Sequence, residues 1–119
     1  RIFPCLGLHP LDGTFSYDVW AVTRSMIVSA HQEQRIAAIG EVGLDFSRPL
    51  LREQGLARGT SEAEARDSQL ACFEAHVALA LELGVPLNVH SRNAERETLQ
   101  ILARAQCPAV MHAYKGHPE

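Results

Sequence analysis

Four short apolar runs alternate along the chain with longer stretches whose apolar residues recur at helical spacing. The runs cover residues 2–8, 36–40, 85–89 and 109–111. Apolar runs this short, bounded by turn residues, read as buried strands of a parallel sheet. Between them, residues 18–34 read as a helix with Trp20, Ile27 and Val28 among its apolar positions, capped by Ser16 or Asp18. Ser61 and Glu64 form a capping box that opens a second helix, which carries Leu70, Phe73, Val77 and Leu81 at helical spacing and stops at Gly84. Residues 94–106 read as a third helix, capped by Asn93 or Ser91, with Leu99 and Leu102 facing inward and Pro108 ending it. Residues 9–13 form the loop after the first strand. Residues 42–60 carry Gly43, Pro49, Gly55 and Gly59 and read as a long loop, a length usually tied to function or disorder.

Strand and helix therefore alternate, with short links. That order argues for right-handed βαβ units in an α/β fold. Two architectures satisfy it: part of a (β/α)8 TIM barrel with about four parallel strands, or an open doubly wound sheet. A complete barrel needs roughly 250 residues, and this chain has 119. Its 46% hydrophobic content is enough for one core. The net charge of −3 gives no general basic attraction to nucleic acid, so any such binding must be local and metal-assisted. No run has the apolar length of a membrane span, and none resembles a signal peptide. Cys5, Cys72 and Cys107 have no C-x-x-C spacing; they read as reduced thiols in an intracellular compartment.

Three of the four runs end on residues that bind divalent metals: Glu41, His90 and His112. In parallel α/β folds the chemistry gathers at the carboxyl ends of the strands, so these side chains are expected to converge. Carboxylate with imidazole suits zinc, manganese or iron. Each residue also has a plainer reading. His90 or His112 alone is more often a satisfied core histidine, and Glu41 could be structural. His9 precedes a proline and could serve only a turn, Arg92 could form a surface ion pair, and Asp45 could brace the following loop. His31 and His76 sit on helices and read as surface or packing residues. Arg48, Arg52 and Arg58 read as a solvated charge cluster.

The local strings go further. Cys5-Leu6-Gly7-Leu8-His9-Pro10, Ile39-Gly40-Glu41-Val42-Gly43-Leu44-Asp45-Phe46, Asn88-Val89-His90-Ser91-Arg92-Asn93-Ala94 and Val110-Met111-His112-Ala113-Tyr114 occur in this order. Together they closely resemble the TatD family of metal-dependent deoxyribonucleases, with wording most like the TatD-domain-containing 3 branch. The resemblance implies a (β/α)8 hydrolase that cleaves DNA phosphodiesters, as an exonuclease on single-stranded DNA, with water activated by two divalent ions (magnesium, manganese or zinc). It implies that Glu41 bridges the ions and that His90 and His112 ligate one of them. His9 and Asp45 would serve the substrate pocket, and Arg92 would clamp phosphate and assist catalysis. The family pattern also has an H-x-H strand end before these motifs and an aspartate after them. On this reading residues 1–119 form an incomplete barrel domain, without the first strand and the C-terminal strands. Two alternatives stand beside it: a catalytically inactive half-barrel, and a hydrolase of another phosphoester or an amide.

Overall fold

The computed structural model describes residues 5–10 and 15–113, with side chains through residue 111. Residues 2–4 of the first expected strand, residues 11–13 of the loop after it, and Tyr114 of the fourth motif lie outside the described residues. The elements run β1 (Cys5–Leu6), α1 (Tyr17–Gln32), β2 (Ala38–Asp45), α2 (Arg48–Arg58), α3 (Glu62–Leu83), β3 (Leu87–Arg92), α4 (Glu95–Ala105) and β4 (Ala109–Ala113). The sheet has the order β1-β2-β3-β4, every pair parallel. Sequential parallel strands joined by crossovers of one hand keep their helices on one face. A doubly wound sheet would reverse its strand order partway. The order without reversal is that of a barrel wall, so the fold is an α/β fold consistent with a partial TIM barrel.

The core lies between the sheet and the helices. Ile39, Val42, Leu44, Leu87 and Val89 meet Ile27 of α1, Leu51 of α2 and Phe73 and Leu79 of α3, all buried. Along β3 burial alternates: Leu87, Val89 and Ser91 are buried, whereas Asn88, His90 and Arg92 on the opposite face are half-buried. Ser61 and Glu64 form the expected capping box of α3, Gly84 caps its end in the left-handed region, and Ser16 caps α1.

Several expectations shift. Residues 42–60 are not a loop: β2 continues to Asp45, and α2 occupies residues 48–58 with Pro49 in its first turn and Gly59 as a left-handed cap. Pro49 and Gly59 thus delimit a helix. Glu41 and His90 consequently sit inside their strands, because the ladder continues through Gly43↔His90 to Asp45↔Arg92. The inward stripe of α4 runs Ala94, Thr98 and Leu102, which leaves Leu99 54% exposed. Ala94 is the N-cap of α4 and makes no side-chain capping bond, so neither Asn93 nor Ser91 holds that position. On α3 the buried residues are Ala65, Gln69, Cys72, Phe73, His76, Val77, Leu79 and Ala80; Leu81 faces outward.

His76, read as a surface or packing residue, is a packing residue and is fully buried. Its Nε2 accepts the Leu8 N–H at 3.0 Å, its Nδ1–H donates to the Cys72 carbonyl at 2.7 Å, and the Trp20 ring lies 4.5 Å away. Those bonds use the neutral ring. Burial drives its pKa down to about 4, against a smaller upward pull from the Cys72 carbonyl. The unfolded chain takes up a proton near pH 6.5 that the native fold refuses. The stability this group contributes is present above that pH and lost as pH falls toward 4, a total of about 3 kcal/mol. Urea unfolding between pH 7 and 4 checks this. The pH slope should be shallower in His76→Gln than in the unaltered chain, and equal slopes would contradict it.

Candidate metal centre

Glu41 reaches the site through an irregularity in β2. The register passes from Gly40↔Asn88 to Val42↔Val89, so Glu41 is the extra residue of a bulge. A bulge turns its strand locally and re-aims a side chain. Glycine permits the close approach on both sides. A Cβ at Gly40 (φ +145°) would lie 2.3 Å from the Asn88 carbonyl oxygen, and one at Gly43 (φ +156°) 1.8 Å from that of His90. Both positions thus need glycine for space and for conformation.

His9, just beyond β1, Glu41 of β2 and His90 of β3 come together in this region. One ligating atom from each lies within 4.8 Å of the others. His9 Nε2 is 3.4 Å from Glu41 Oε1, and the His9 and His90 rings are 4.6 Å apart. Tetrahedral ligands about 2.1 Å from an ion stand about 3.4 Å apart, so the His9–Glu41 separation already matches one edge of such a site. The donor set of two imidazoles and a carboxylate fits zinc or manganese.

Behind His90 lies Asp45, 1% exposed. Its Oδ2 is 3.1 Å from His90 Nε2, and its Oδ1 accepts from Ser47 Oγ at 2.7 Å and from the Ser47 N–H at 3.1 Å. Burial raises the carboxyl pKa, but the hydrogen bonds from His90 and Ser47 outweigh it, and the net shift is downward. An ionised Asp45 can only accept. His90 Nε2 must therefore carry the proton, which leaves the Nδ1 lone pair as the ring's donor to an ion. Carboxylate, histidine and ion in series is the usual way a ligating imidazole is oriented.

The sequence-derived site residues are thus partly assembled. Glu41 and His90 meet. His9, read as a phosphate contact, stands at ligand distance from both. Asp45, read as a substrate contact that also orients the pocket, has its carboxylate committed to His90 and Ser47 beneath the surface, so its position is that of an orienting group. Arg92 follows His90 by two residues on the same face of β3, and its backbone carbonyl accepts from the Phe46 N–H at 2.9 Å. His112 is the register partner of His90 on β4, and its side chain lies outside the described residues. Sequence reading missed two buried glutamines, Gln69, which bonds to the Asp45 backbone, and Gln54, which bonds to Gln69. The available signal was a polar residue on the buried face of a helix.

Comparison with known proteins identifies the family. The TatD related DNase family matches residues 1–119. The chain is 34% identical to the human protein named deoxyribonuclease TATDN3, over 98% of this chain and 42% of that protein. It is 27% identical to the Bacillus subtilis protein named uncharacterized metal-dependent hydrolase YabD, over 99% of this chain and 41% of that protein. It is 33% identical to the Klebsiella pneumoniae protein named 3'-5' ssDNA/RNA exonuclease TatD, over 92% of this chain and 37% of that protein. It spans about two fifths of the length of these relatives. With family motifs along its whole length and a histidine–carboxylate cluster on the strands that carry three of them, the chain belongs to the TatD family of metal-dependent hydrolases and deoxyribonucleases.

Proposed function

We propose that this chain is the ligand-bearing part of a TatD-type (β/α)8 exonuclease that hydrolyses phosphodiester bonds of single-stranded DNA. The observation that carries the reading is the convergence of His9, Glu41 and His90 over a buried Asp45. The relative named for exonuclease action on single-stranded DNA and RNA supports the substrate class. No helix among the described residues is long and apolar enough to cross a membrane.

In this reading Glu41, His90 and His112 would hold the divalent ions, and His9 would serve as a further ligand or as a contact to the substrate phosphate. Bound divalent ions lower the pKa of water and neutralise charge on a phosphodiester. The chain's own groups supply the rest. Asp45 holds the His90 ring with Nδ1 outward. Neutral imidazoles add no negative charge, so the cleft keeps its attraction for phosphate. Arg92, on the same face as His90, offers a planar fork suited to a phosphate oxygen pair. The two histidines of the H-x-H strand end and the aspartate, which the family pattern has before and after these motifs, would complete the set in a whole barrel.

Four outcomes test this. In the barrel completed by its flanking strands, Glu41→Ala should reduce manganese-dependent digestion of single-stranded DNA by at least about 100-fold, and Asp45→Asn should weaken zinc binding by about 10- to 100-fold. Unchanged turnover in Glu41→Ala would remove the basis for the function. Arg92→Ala should weaken DNA turnover more than metal affinity; equal loss of both would make Arg92 a scaffold residue. Residues 1–119 expressed alone should digest DNA far more slowly than the completed barrel, because unpaired sheet edges favour association and the ligand set is short. Comparable activity of the two, abolished by Glu41→Ala in each, would show that the other ligands are dispensable.

A further inference from the structure

Two buried glutamines connect the segment bearing His9 to the residue that orients His90. Gln54 on α2 donates from Nε2 to the Pro10 carbonyl at 2.6 Å, and its Oε1 accepts from Gln69 Nε2 at 3.0 Å. Gln69 on α3 also donates to the Asp45 carbonyl at 2.9 Å and accepts the Asp45 N–H at 2.7 Å through Oε1. Gln54 is 7% and Gln69 4% exposed. Pro10 follows His9, and the Asp45 carboxylate receives His90 Nε2.

The polarity of this chain is forced at both ends. The Pro10 carbonyl can only accept, so Gln54 must present its NH2 there and its oxygen to Gln69. The Asp45 N–H can only donate, so Gln69 must present its oxygen there and its NH2 to Gln54 and to the Asp45 carbonyl. No other neutral side chain of this length offers a donor and an acceptor in one rigid plane. A buried polar network whose members are all matched is stiff, and leaving one unmatched is costly. Packing alone would place an apolar residue at each position.

We propose that Gln54 and Gln69 are positioning residues: they form a directional hydrogen-bond relay that sets His9 relative to His90, and so sets the spacing of the ligands for a divalent ion. This rests on the reading of His9, Glu41 and His90 as ligands. The relay lies on the helix side of the sheet, on α2 and α3. It acts through Pro10 at one end and Asp45 at the other.

The experiment uses the metal-free protein first and zinc ion alone second. Imidazole resonances of His9, His90 and His31 are followed by NMR in the unaltered protein, in Gln54→Met and in Leu51→Ala. Leu51 is a buried apolar neighbour on the same helix and controls for general destabilisation. Gln54→Met should move the His9 and His90 signals together, leave His31 in place, and weaken zinc binding at least about 10-fold by calorimetry. Leu51→Ala should lower stability without moving His90. If Gln54→Met does not fold, Gln54→Glu keeps an acceptor for Gln69 and, when ionised, sets a negative oxygen in place of the donor to Pro10, and the same pattern is expected while the carboxyl is ionised. His90 unmoved in a folded Gln54 variant, or moved as much by Leu51→Ala, overturns the relay. If the unaltered protein takes up no zinc while both rings still move together, the relay stands and the ligand reading fails.

Discussion

The bond between Asp45 and His90 is the constraint on which the site depends. A carboxylate that is 1% exposed must have its oxygens matched by donors, because an unmatched buried charge is far more costly than a surface one. Here the donors are Ser47 and the His90 ring. The match fixes the tautomer and orientation of His90, and it requires β2 to continue to Asp45 in register with Arg92. That register in turn requires glycine at position 43, where any side chain would meet the His90 carbonyl.

The two faces of the sheet divide the work. The half-buried face carries His90 and Arg92, with Glu41 brought to His90 by the bulge. The helix-facing side is mostly apolar, and its buried polar residues are matched: the Ser91 and Thr98 hydroxyls pair at 3.3 Å, His76 takes the Leu8 N–H, and Gln54 takes the Pro10 carbonyl. His9 lies between these two anchored residues. A segment without regular strand pairing at that point is thereby held from both sides by α2 and α3.

Much of this was legible in the sequence. The strand and helix alternation, the Ser61 capping box and the Gly84 stop follow from local chemistry that tertiary contacts did not override. Glu41 and His90 were found because each closes an apolar run, and the TatD motifs supplied their roles. The exact strand ends were not legible, since Gly43 and Asp45 look like turn residues until the close approach to β3 is seen. Helix α2 was hidden because Pro49, Gly55 and Gly59 suggest a loop when Leu51 is not recognised as its apolar contact. Gln54 and Gln69 were passed over, and the role of His76 was left open between surface and packing, because apolar periodicity skips polar residues, and nothing local reveals that a distant backbone group needs them.

The most direct measurement is anomalous X-ray scattering from crystals of the protein grown with manganese. The reading given above predicts a peak within about 2.3 Å of Glu41 and of at least one of His9 and His90, with the Asp45–His90 bond intact behind it. A peak elsewhere, or none at this cluster with manganese in excess, would contradict the assignment of His9, Glu41 and His90 as a metal centre.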